Sequence, residues 1–116
     1  KPAKKSTSVK PKAPSGLFAR YAVNHPDVAW RIVDGEAAIV TPADGPLHLL
    51  NEVGTAVWEG TQRPVRLERL VDVVFKEFEV KRAVAEKDVA DFVRELEEKK
   101  MLLLADRKQD LPEGGA

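Results

Sequence analysis

GPLHLLNEVGTAVWEG, residues 45–60, is expected to change from an apolar strand to a helix at one polar residue. LHLL is short and apolar, which is typical of a strand. Asn51 follows, and asparagine caps helices well because its side chain accepts a hydrogen bond from an unpaired N–H of the first turn. The apolar stripe of the predicted helix consists of Val53, Ala56, Val57 and Trp58. Gly60 is expected to end it.

Two further strands are predicted before this stretch. VAWRIV, residues 28–33, places large apolar residues at alternate positions, as a strand does. Asp34-Gly35 is a strong hairpin signal, and EAAIVT, residues 36–41, is the second strand. PADGP, residues 42–46, is expected to turn the chain into LHLL, so the sequence predicts a three-stranded antiparallel meander.

Two more helices are predicted after Gly60. The second has apolar residues at helical spacing, and we expect all of them on one face: Leu67, Leu70, Val71, Val74, Phe75 and Phe78. EVKRAVA is expected to link it to a third helix over residues 86–100, and MLLL follows as an extended end. Strands followed by helices indicate an α+β fold of the order β-β-β-α-α-α, within a domain spanning residues 17–104.

Composition excludes several classes of protein. Apolar residues make up 43% of the chain and charged residues 33%, which is ordinary for a soluble globular protein. The longest apolar run is far shorter than the ~20 residues of a membrane span. The sequence has no cysteine, which excludes disulfides and zinc–thiolate sites and fits a cytoplasmic protein.

Charge is distributed unevenly along the chain. Residues 1–16 hold five lysines and no acidic residue, whereas residues 17–104 hold twelve basic against sixteen acidic residues. The Lys/Pro/Ser-rich segment 1–16 is expected to be disordered, as a solubilising tail or an electrostatic arm for an acidic partner. Residues 105–116 are interpreted as a flexible C-terminal tail.

No catalytic or metal-binding constellation is visible. Ser6, Ser8 and Ser15 all lie in the N-terminal tail, where no triad would be held rigidly. His25 and His48 lack the spacing of metal ligands, and the isolated glycines form no phosphate-binding loop. The sequence therefore predicts neither an enzyme nor a cofactor, and binding is the remaining function.

The third predicted strand lies at an edge of the meander. Its unpaired N–H and C=O groups could accept an extended peptide as an extra strand. A short, solvated edge without any ligand is an equally good account from the residues alone.

The sequence resembles the PqqD-like proteins, named for the small D protein of pyrroloquinoline quinone biosynthesis, whose fold is also called the RiPP recognition element. The resemblance covers residues 26–104. It is carried by the Leu50-Asn51 step, the helix ending in Val57-Trp58, FEV, and the segment LEEKKML at residues 96–102.

The resemblance implies a winged-helix-like domain that is not catalytic. Family members hold the leader segment of a ribosomally made precursor peptide as a β-strand and deliver it to a modifying enzyme, often a radical S-adenosylmethionine protein. Carried onto this chain, the peptide would lie between the third strand and the third helix. The implied peptide-binding residues are Leu47, His48, Leu49 and Leu50 on the strand and Asp88, Val89, Phe92, Val93 and Leu96 on the helix.

Two other functions stay open at this stage. One is a structural or assembly domain that contacts a protein partner without binding a leader. The other is a winged-helix nucleic-acid binder, although the third predicted helix carries four basic against six acidic residues, which is unfavourable for binding phosphate. Neither nucleic acid nor a membrane is an expected partner.

Overall fold

The computed structural model describes residues 16–41 and 47–113. Six strands and three α-helices form in these residues. They are β1 (Tyr21–Asn24), β2 (Ala29–Val33), β3 (Glu36–Val40), β4 (Leu47–Leu49), α1 (Glu52–Gly60), β5 (Val65–Arg66), α2 (Leu67–Phe78), α3 (Arg82–Glu98) and β6 (Leu102–Ala105). Short 3-10 helices lie at Gly16–Ala19 and Lys108–Asp110. The predicted turn at 42–46, nearly all of the predicted tail 1–16 and the last three residues of the tail 105–116 lie outside the described residues.

The strands form two small antiparallel sheets. The order β2-β3-β4 is the predicted meander, and the second sheet has the order β5-β1-β6. In that second sheet β1 pairs with β6 from Tyr21↔Ala105 to Asn24↔Leu102. The sheet therefore joins segments from opposite ends of the domain.

The α+β class is confirmed, but the strict order β-β-β-α-α-α is wrong. β1 precedes the meander, β5 lies between α1 and α2, and β6 follows α3. YAVN and LLLA lack the polar/apolar alternation of a half-buried strand, because Ala22 and Val23 are fully buried. Pairing between segments about eighty residues apart leaves no local signal in the sequence.

The hairpin between β2 and β3 forms at the predicted dipeptide. Asp34 has φ 53° and Gly35 has φ 84°, so both central residues lie in the left-handed region, as in a type I′ turn. The register runs from Ala29↔Val40 to Val33↔Glu36.

The helix limits differ in part from the sequence-based expectation. α1 begins after Asn51 as predicted, since the Asn51 side chain accepts a hydrogen bond from the Gly54 N–H at 2.8 Å. α3 begins at Arg82 rather than at residue 86, and it ends at Glu98. Its N-cap residue, Lys81, makes no side-chain capping bond, so the usual sequence signal is missing.

The core lies where the helices cover the inner face of the meander. Trp58 is fully buried and meets Trp30 edge-on, with ring centroids 5.8 Å apart. On α2, four of the six predicted core residues are buried, whereas Phe75 is 38% exposed and lies under the guanidinium of Arg82. Met101, which follows α3, is also fully buried.

Candidate functional site: an open sheet edge beside a cleft

β4 is one of the two edge strands of the sheet β2-β3-β4, and the hydrogen-bonding pattern of β4 follows from one bond. The Leu50 N–H donates to the Ala37 carbonyl at 3.0 Å, so these two residues form a hydrogen-bonded pair. Bonded and non-bonded pairs alternate in an antiparallel ladder. With the register Ala38↔Leu49 and Ile39↔His48, His48 uses its backbone groups to bond β3.

The backbone of Leu47 and Leu49 therefore points away from β3. Both residues belong to non-bonded pairs, so their N–H and C=O groups face the open side of β4. In the residues 16–41 and 47–113, no strand pairs with that side. The edge thus offers donors and acceptors from two residues to an incoming extended chain.

The two faces of β4 have different surroundings. The side chains of Leu47 and Leu49 lie on the outer face of the sheet and are 59% and 61% exposed. His48 points to the opposite face, the one that meets the helices, and is half-buried. Leu50 continues that inner face and is buried.

A cleft of about 400 Å³ lies between this edge and α3. It is open to solvent, and its apolar part includes Phe92 and Leu96 of α3 and Met101 beyond it. The full set of lining residues is Leu47, His48, Leu49, Leu50, Asn51, Phe92, Glu95, Leu96, Lys99 and Met101. The cleft therefore combines an apolar floor with a polar rim beside unpaired backbone groups.

Six of the nine site residues suggested by the resemblance line this cleft, namely Leu47, His48, Leu49, Leu50, Phe92 and Leu96. Val89 and Val93 are not among the lining residues, and their side chains are fully buried in the core. Asp88 is exposed and lies about one helical turn before Phe92, outside the cleft lining. A role in peptide binding stays a prediction for all nine residues.

Four lining residues were missed by the sequence reasoning: Asn51, Glu95, Lys99 and Met101. Glu95 and Lys99 form an exposed ion pair, with Nζ and Oε2 2.9 Å apart. Their spacing of three and seven residues from Phe92 places them on the same side of α3, and that spacing was the available signal.

Another ion pair on α3 lies outside the cleft. The ammonium of Lys87 donates to the Asp91 carboxylate at 2.7 Å. This hydrogen bond, together with the attraction to the Asp91 charge, raises the pKa of Lys87. The pair is exposed, so it decorates the surface of the helix without shaping the cleft.

The described residues contain no group of three or more His, Asp or Glu side chains placed to hold a metal ion. None of their helices is both long and apolar enough to cross a bilayer.

Comparison with known proteins identifies the family. Residues 36–102, which contain β3, β4, all three helices and the cleft, match the sequence profile described as coenzyme PQQ synthesis protein D (PqqD). The chain belongs to the PqqD family. No curated protein matches it.

Two solved structures have the same fold as this PqqD-family chain. One, described as TbiB1 in complex with the TbiA(beta) leader peptide, is 30% identical, with a TM-score of 0.61 over 69% of this chain and 93% of that one. The other, a lasso peptide synthetase B1 complexed with the leader peptide, is 22% identical, with a TM-score of 0.59 over 71% of this chain and 96% of that one.

Proposed function

We propose that this chain captures the leader segment of a ribosomally made precursor peptide by strand addition along β4. The observation that carries the proposal is the unpaired backbone of Leu47 and Leu49 directly beside a cleft of about 400 Å³. Backbone bonds would supply affinity, and the cleft would select among side chains.

The geometry specifies how a peptide would lie. Two peptide residues would bond the backbones of Leu47 and Leu49, and their side chains would share the outer face with those leucines. The residue between them would stand opposite His48 and project to the inner face, into the cleft toward Phe92 and Leu96. We call this central peptide residue the anchor.

The similar structures support the proposal. TbiB1 is similar over most of both chains and is described in complex with a leader peptide. The lasso peptide synthetase B1, also complexed with a leader peptide, has the same fold. A shared fold together with an open edge in this chain makes leader binding the function that best fits both observations.

The domain is winged-helix-like and not catalytic, and it presents the captured leader to a modifying enzyme, which in this family is often a radical S-adenosylmethionine protein. This would take place in the cytoplasm, where precursor peptides are made.

A titration followed by NMR tests the proposal. The ¹⁵N-labelled chain is titrated with the TbiA(beta) leader peptide and with any short precursor peptide encoded beside its gene, and a scrambled peptide serves as control. We expect concentration-dependent shifts on Leu47, His48, Leu49, Phe92 and Leu96. Shifts confined to other surfaces, or no shifts with any of these peptides, would contradict leader binding. A protein partner captured in the absence of peptide would then favour an assembly role.

A further inference from the structure

Gly54 and Phe92 are in unusually close contact where α1 meets α3. A Cβ atom built on Gly54 would lie 2.8 Å from Cε1 and 3.1 Å from Cζ of the Phe92 ring. The first distance is shorter than real side chains tolerate, so the ring occupies the space that any other residue at position 54 would need.

Glycine is otherwise unfavourable at this position. Gly54 lies inside the first turn of α1, where glycine is among the poorest helix formers. Its φ is not in the left-handed region, so the backbone does not require glycine there. The close approach of the ring is therefore the physical reason for a glycine at position 54.

The Phe92 ring lies against Gly54 on α1, and Gly54 is buried. Phe92 itself is partly buried and lines the cleft. A side chain at position 54 would therefore displace the ring toward the cleft.

We propose that Gly54 is a positioning residue that sets the depth of the cleft through Phe92, and thereby the size of the anchor side chain that the peptide can insert. The inference rests on the proposed function and deepens it. The preferred ligand is an extended peptide whose anchor is a large apolar or aromatic residue, because the Phe92 ring of α3 lines the cleft and is only partly buried.

The test begins with a displayed library of random peptides that is selected on the wild-type protein. A selected peptide with a large anchor and the same peptide with alanine at the anchor are then titrated by calorimetry into the wild type, G54A, F92L and G54A/F92L. We expect G54A to weaken binding of the large-anchor peptide by about tenfold, since inserting a methyl group into a packed contact is typically unfavourable. The alanine-anchor peptide should bind the wild type and G54A almost equally.

The double variant separates cleft depth from a structural defect. Leucine at position 92 leaves room for the methyl group, so G54A should lower affinity much less in the F92L background, measured against F92L alone, than in the wild type. A lost Asn51 cap or a misfolded helix would not be restored by F92L, and thermal unfolding checks that G54A is folded.

Three outcomes would overturn the inference. G54A could bind both peptides as the wild type does, it could weaken both equally, or it could lower affinity as much in the F92L background as in the wild type. If the wild-type protein selects no peptide at all, the proposed function fails, and the inference falls with it. If only the inference fails, the wild type still selects peptides and G54A binds them as tightly as the wild type does.

Discussion

The hydroxyl of Thr55 on α1 accepts a hydrogen bond from the backbone N–H of Ala37 on β3 at 2.9 Å. The same hydroxyl donates to the Leu50 carbonyl at 3.3 Å. It therefore stands where a second ladder bond between Ala37 and Leu50 would form. The end of β4 is tied to the start of α1, so the sheet edge and the helix form one rigid unit.

Replacing Thr55 by valine should lower the free energy of unfolding by about 2 kcal/mol, because the buried Ala37 N–H would lose its acceptor. T55S, which keeps the hydroxyl, is the matched control and should retain most of the stability. Urea denaturation followed by fluorescence of the two tryptophans measures both variants. Equal stability of T55V and T55S would contradict the role assigned to this hydroxyl.

Replacing Asn51 by alanine should lower the stability by about 1 kcal/mol, because the Gly54 N–H would lose its cap. N51D should keep the cap and place a negative charge at the positive end of α1. Thermal unfolding of the two variants at the same pH tests this. A melting temperature of N51A equal to that of N51D would show that the cap contributes nothing.

Proline at two successive positions of β4 should separate folding from binding. L49P removes an N–H that faces the open edge, so the fold should persist while peptide affinity falls. H48P removes an N–H that bonds β3, so the domain itself should be destabilised. Circular dichroism and peptide titration of both variants provide the measurement. An L49P variant that binds peptide as tightly as the wild type would exclude strand addition at this edge.

Substitutions at two neighbouring residues of α3 should also separate folding stability from peptide binding. V93A should lower the free energy of unfolding by about 2 kcal/mol, because it removes buried methyl groups, and the folded fraction should bind peptide normally. F92A should mainly reduce peptide affinity, because Phe92 lines the cleft. The comparison uses urea denaturation and calorimetry on both variants. If V93A reduces affinity as much as F92A does, the division between core and cleft on this helix is wrong.

Local signals predicted much of the fold. Asp34-Gly35 and Asn51 encode a turn and a helix start within a few residues, and the structure has both. The α2 pattern identified four buried residues but misplaced Phe75, since helical spacing gives the side of a helix and not how far its partners extend. The start of α3 was missed because Lys81 gives no capping signal.

The second sheet and the full cleft lining could not be predicted in this way. The sequence predicted MLLL only as an extended end, because its pairing with β1 as strand β6 is long-range. Glu95 and Lys99 look like ordinary surface charges, and only the position of β4 against α3 makes them part of a rim. For the same reason Val89 and Val93, which share an apolar stripe with Phe92, could not be separated from it by sequence.

The β1–β6 pairing has a consequence for the smallest piece of this chain that can fold. The family match begins at residue 36 and ends at residue 102. A fragment trimmed to those limits would lack β1, β2 and most of β6, together with the backbone hydrogen bonds from the Leu67 N–H to the Arg20 carbonyl and from the His25 N–H to the Met101 carbonyl. The segment that matches the family profile is thus shorter than the segment that the β1–β6 pairing closes, and we expect a stable minimal domain to extend from about Gly16 to Ala105.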